Sequence, residues 1–171
     1  MKTERRMVLA MQEEILMTQE GYDKLEKEYE ELVSIKRKED SERLKEARSY
    51  GDLSENAEYD AAKDEQAVTE ERIKKLDEMM KNAKIIDGDD VTCEFVNVGL
   101  KVTVEDVKTG EVEEFIIVGS PEADPFADIP KISTDSEVGK NLLNKKVDDV
   151  VEVITPDGFV HYKVLNIEKN N

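Results

Sequence analysis

Two carboxylates three positions apart, Asp52 and Glu55, stand in the stretch Gly51-Asp52-Leu53-Ser54-Glu55-Asn56-Ala57-Glu58-Tyr59, between two long charged segments. Acids so placed have two uses. Asp-x-x-Glu ahead of an apolar run is capping-box spacing, with Asp52 as N-cap and Glu55 at N3, and stabilises a helix by roughly 0.5–2 kcal/mol. The second use is chemical. Carboxylate oxygens suit Mg2+, and a phosphodiester is hydrolysed well between two such ions about 3.5–4 Å apart. Two acids cannot complete such a centre, so a chain working this way is inert as a free nuclease and lends its acids to a partner. The uses coexist, because a cap holds a carboxylate still.

The flanking segments must place those acids. Thr18 is the candidate N-cap of the first, and Tyr22, Leu25, Tyr29, Leu32, Ile35, Leu44 and Ala47 follow at helical spacing, broken only by the polar stretch from Lys36 to Arg43. Gly51 ends the run as a C-cap. The second segment carries Ala57, Ala61, Val68, Ile73, Leu76, Met80 and Ala83, with Ala62 and Met79 beside the stripe. In an antiparallel hairpin the numbers of facing residues add to a nearly constant sum. Tyr22 with Ala83, Leu25 with Met80, Tyr29 with Leu76, Leu32 with Ile73 and Leu44 with Ala61 share one value, and Ile35 with Val68 comes close. This predicts an antiparallel coiled-coil hairpin over 14–86 with its acidic tip at 51–56. Helices of about 30 residues carry that tip on the order of 45 Å from the base.

The first helix is acid-rich near the base and base-rich toward the tip, at Lys36, Arg37, Lys38, Arg43, Lys45 and Arg48. A solvated helix face explains such a run. A short positive strip meeting a phosphate backbone is the functional alternative, for which Arg48 and Lys63 are best placed.

Beyond Asp87 the period changes to two. Leu100, Val102 and Val104 alternate with polar residues, Glu114 to Val118 returns as a paired strand, Asp135 to Asn144 reads as a short helix, and Asp149 to Ile167 as a second hairpin. This predicts a small α+β domain over 87–171. It holds no Gly-rich phosphate loop and no nucleophile–base arrangement, which suits a docking module. Residues 1–13 are expected to be a disordered extension.

A net charge of −17 excludes a generally basic duplex-wrapping surface and suits a basic protein partner. No run approaches the roughly 20 apolar residues of a membrane span, and the short apolar start does not make a signal peptide. A soluble cytoplasmic monomer is expected. The one cysteine, Cys93, reads as small apolar filler.

The tip stretch, with Ala61-Ala62-Lys63 and Arg72-Ile73, closely resembles the bacterial Gre transcript-cleavage factors. Ile117-Val118-Gly119-Ser120-Pro121-Glu122-Ala123-Asp124-Pro125 and Leu142-Leu143-Asn144-Lys145-Lys146 are similar to that family's C-terminal domain. The resemblance implies a helical hairpin followed by an FKBP-like domain. The domain would dock at the rim of the RNA polymerase secondary channel through Glu122, Ala123, Asp124 and Pro125, while the hairpin enters the channel. Asp52 and Glu55 match the family's catalytic acids, which share Mg2+ supplied at the polymerase active site, the free chain binding none. Arg48 and Lys63 fall on its basic patch for the extruded RNA 3′ end, with Gly51, Asn56 and Tyr59 as tip scaffold. The implied role is a transcription elongation factor that stimulates cleavage of backtracked nascent RNA. Rival readings are a channel-occupying inhibitor and a coiled-coil chaperone or adaptor. Where the family reads Ser-Pro-Ile-Gly and Leu-Leu-Gly-Lys-Lys, this chain has Ser136-Glu137-Val138-Gly139 and Leu142-Leu143-Asn144-Lys145-Lys146.

Overall fold

The computed structural model describes residues 14–51, 56–86 and 91–170, so the expected extension over 1–13 lies outside the described residues. Two compact units emerge: Tyr22–Asn82, and Ala83–Asn171 with the described residues up to Gly21. None of the described helices is long and apolar enough to cross a membrane.

The helical unit is a hairpin. Its first arm comprises α1 (Gln19–Glu31), a π-helical turn over Leu32–Lys36, and α2 (Arg37–Ser49); its second is the unbroken α3 (Ala57–Lys81). Thr18 caps α1 as expected, its Oγ1 accepting from Gly21 N–H at 3.1 Å. The π turn answers a phase problem in the sequence. Leu32 and Leu44 are twelve positions apart and would diverge by about 120° on a continuous α-helix, whereas one residue absorbed in a wide turn brings them within about 20°. The turn therefore returns Leu44 and Ala47 to the seam. It also turns Asp40 inward, where the residue is 2% exposed, and turns Ile35 out to 55% exposure.

The expected contact of Ile35 with Val68 is thus corrected on both arms. Val68 is 66% exposed and Thr69 is buried in its place, as Ala62 is buried in place of Ala61. On α3 the inward series Ala62, Thr69, Ile73, Leu76 keeps a strict heptad-like period, and period overrides the hydrophobicity of the neighbouring residue. Thr69 satisfies its hydroxyl by donating to Glu65 O at 3.1 Å. Lys36 Nζ lies 3.0 Å from buried Asp40 and also reaches Glu65, while Asp40 Oδ2 has no partner among the described residues. Two forked pairs cross the seam at 2.6 and 2.7 Å each, Arg72 to Glu28 and Arg37 to Glu70. The Arg72 bond holds the Glu28 carboxyl below its usual 4.5. If the turn exists to absorb one residue, deleting Ile35 leaves a continuous helix still in phase. The expected result is a variant with unchanged helical ellipticity and a melting temperature within a few degrees. Deleting Gln66 from unbroken α3 should unfold the hairpin, and equal damage from both deletions would refute the phase argument.

In the other unit, β1 (Ile15–Thr18) pairs in parallel with β2 (Ala83–Ile86). The hairpin expected over 14–86 therefore gives up both ends to this unit. A five-stranded sheet is built from β3 (Leu100–Asp106), β4 (Val112–Val118), β5 (Lys131–Ser133), β6 (Val150–Thr155) and β7 (Gly158–Lys169), in the order β5-β4-β3-β7-β6. Only β4 and β5 run parallel. Alternation buries Leu100, Val102, Val104, Val151 and Val153 on one face, where Val96, Val98, Ile117 and Leu142 complete the core. Leu142 comes from α4 (Glu137–Leu142), capped by Ser136, whose Oγ accepts from Gly139 N–H at 3.0 Å. The family's proline is thus not needed to start this helix. Its later glycine is replaced by Asn144 at φ 63, the non-glycine residue type best suited to a left-handed helix end. Cys93 is exposed and fills no core.

Candidate functional site

At the tip, α2 ends through Tyr50 into Gly51 at φ 116, a conformation that favours glycine. Among the described residues no atom lies within 4 Å of where a Gly51 Cβ would be, so the backbone conformation is what favours glycine there. Asp52 and Glu55, with Leu53 and Ser54, lie outside the described residues.

The next element begins at Asn56, and here the capping-box expectation is corrected. Asn56 is the N-cap of α3, its Oδ1 accepting from Tyr59 N–H at 3.2 Å. Its Nδ2 donates to Ala47 O at 2.7 Å, in the last turn of α2. One amide thus satisfies an orphan donor at the start of one helix and ties down a carbonyl at the end of the other. The sequence places Glu55 ahead of that N-cap, and the cap needs neither acid. Asn56 was expected only as scaffold. Its cross-helix bond spans nine positions with no periodic signal, so spacing could not reveal it.

Behind the tip, the Arg48 guanidinium carbon lies 5.7 Å from the centroid of the Tyr59 ring, which steadies both side chains. Of the basic run, Lys36, Arg37 and Arg43 are spent on acids of α3. The Lys36 bond holds Glu65 below its usual 4.5, so this network keeps its charge at neutral pH. Lys45, Arg48 and Lys63 are exposed and carry no ion pair among the described residues. The expected positive strip thus reduces to the three cations closest to the tip, which are available to a phosphate.

The four candidate docking residues divide. Glu122, at the end of a 3-10 turn over Ser120–Glu122, accepts from Thr18 N–H at 2.8 Å and from Thr18 Oγ1 at 2.5 Å. A Cβ on Gly21 would come within 2.2 Å of that carboxylate, so the glycine makes room for it. Glu122 is therefore held inside its own unit, whereas Ala123, Asp124 and Pro125 are exposed. His161 is a surface residue 3.1 Å from Glu152.

Fold and site define a two-part α+β protein, a helical hairpin with Arg48, Asn56, Tyr59 and Lys63 near its closed end and a five-stranded sheet unit. The N-terminal model of the transcription elongation factors matches residues 15–85, and the GreA/GreB C-terminal model matches 91–169. The chain belongs to the GreA/GreB family of transcription elongation factors. It is 50% identical over 161 residues to transcription elongation factor GreA of Acetivibrio thermocellus, spanning 94% of this chain and 100% of the relative. Identity to GreA of Clostridioides difficile is 53% over 156 residues, 91% of this chain and 97% of that one. A crystal structure of GreA factor homolog 1 (Gfh1) of Thermus thermophilus is 30% identical, covering 91% of this chain and 99% of its own, with a TM-score of 0.42.

Proposed function

We propose that the chain carries its hairpin tip into the secondary channel of RNA polymerase and stimulates the polymerase's own cleavage of backtracked nascent RNA. The observation that carries this is the pair of hydrogen bonds made by Asn56, which hold both helix ends so that Asp52 and Glu55 are not needed for capping. Carboxylates are hard oxygen donors that suit Mg2+, and two of them leave most of its coordination shell to be completed by a partner. Mg2+ in the polymerase centre, when bound, stabilises charge on the attacking and leaving oxygens.

Asp52 and Glu55 supply carboxylate oxygens to that centre and orient the attacking water. Arg48 and Lys63 neutralise phosphates of the extruded strand. The sheet unit grips the channel rim, and the chain works in this way as a cytoplasmic monomer. Chemistry stays with the polymerase, and elongation resumes from the new 3′ end.

The test is a backtracked elongation complex carrying 3′-extended RNA. Wild-type chain with Mg2+ should release short 3′ fragments, and the chain with RNA alone should release none. Slowed elongation without fragments would establish the inhibitor, and failure to bind polymerase would leave the adaptor. Reversing two of the three free cations, Arg48→Glu with Lys63→Glu, should lower fragment release about tenfold or more at unchanged helical content, since each charged hydrogen bond contributes about 1.5–3 kcal/mol. Unchanged release would remove these cations from the RNA path.

A further inference from the structure

The chain has no Trp and four Phe, so each aromatic ring placed in solvent is conspicuous. Phe115 is 7% exposed and packs edge-on against Tyr162, and Phe95 lies under the Lys146 ammonium at 4.7 Å. Phe159, at the start of β7, is 63% exposed, and Phe126 is 95% exposed, more than any other large apolar residue described. Its position is set without help from the ring. An antiparallel bridge closes the loop, Asp124 N–H to Lys131 O at 3.0 Å and Lys131 N–H to Asp124 O at 2.9 Å. Inside it, Phe126 N–H donates to Asp124 Oδ1 at 3.1 Å and Ala127 N–H to Asp124 O at 3.4 Å. Pro125 fixes one further dihedral. The base of the loop is β5, hydrogen-bonded along β4.

A ring held out on a rigid turn is a preformed anchor, because little chain entropy remains to be lost when it is covered. Aromatic anchors of this kind dominate interface energetics when they enter a dry pocket. The surroundings specify the pocket's rim. Asp124 and Asp128 flank the ring, both exposed and neither ion-paired among the described residues, on a chain of net charge −17. We infer that Phe126 inserts into an apolar pocket with a cationic rim on RNA polymerase, and that it, rather than Glu122, anchors the sheet unit there. This rests on the polymerase reading above.

The experiment measures binding of labelled chain to purified RNA polymerase core for wild type, Phe126→Ser, Phe126→Leu and Asp128→Lys. Because the ring touches almost nothing in the free chain, Phe126→Ser should keep its melting temperature. Its binding should weaken at least about tenfold, with Phe126→Leu recovering most of the loss. Asp128→Lys should bind more weakly and with a flatter dependence on salt. Wild-type affinity in Phe126→Ser overturns the anchor. So does a change in sedimentation of the free chain at unaltered polymerase binding, which would assign the ring to a second copy. Failure of wild type to bind polymerase overturns the functional reading instead.

Discussion

Backtracked polymerase supplied with Asp52→Ala or Glu55→Ala should release 3′ fragments at least about a hundredfold more slowly than with the wild-type chain, at an unchanged melting temperature. The magnitude follows from what one preorganised charged or polar group is worth where charge develops, about a hundredfold to a thousandfold in rate. The unchanged stability follows from Asn56. Had these acids formed the capping box, each alanine would cost roughly 0.5–2 kcal/mol. With the α3 cap supplied by Asn56 Oδ1 and the α2 end held by its Nδ2, that cost belongs to Asn56→Ala instead. Circular dichroism and fragment release measured on the same three variants separate the roles. A destabilised Asp52→Ala with proportionate loss of cleavage would return the acids to a structural part.

Gly119→Ala should be among the most damaging small substitutions in the sheet unit. Gly119 has φ −69, where alanine is unstrained, so the reason is not conformational. An added Cβ would lie 1.7 Å from Leu16 O and 2.8 Å from its carbon, pushing β1 off the end of β4 where Met17 is fully buried. Overpacking of this kind costs about 1–3 kcal/mol and more when backbone must move, or about 10 °C or more in melting temperature for a unit of this size. Gly110→Ala is the control. Its φ is 75 with open space around it, so only about 1–2 kcal/mol of left-handed strain applies. Scanning calorimetry on both variants decides; equal shifts would mean that β1 does not press on Gly119.

The hairpin was legible because Tyr22, Leu25, Tyr29 and Leu32 repeat at helical spacing opposite Ile73 and Leu76, and burial of Leu25, Ile73 and Leu76 agrees. Legibility stopped where hydrophobicity and period disagree. Ile35 and Val68 are apolar and out of phase, Asp40 and Thr69 are polar and in phase, and geometry prevails. The sheet could be read from alternation at Leu100, Val102 and Val104 and from the hairpin pattern of Asp149 to Ile167. The four-residue β1 and β2 and three-residue β5 are too short to alternate audibly. At the tip, residue types pointed to the acids, but Asn56 reaches back to Ala47, and in the sheet unit Glu122 reaches Thr18; neither pairing leaves a local trace.

Asn56 has a consequence for how such proteins diversify. Its two hydrogen bonds fasten the helices at Ala47 and Tyr59, so the two helix ends are held by a residue that lies outside the acidic stretch. Substitution within that stretch leaves both bonds in place. A lineage can therefore change the residues of its tip in a few substitutions while keeping the same stem.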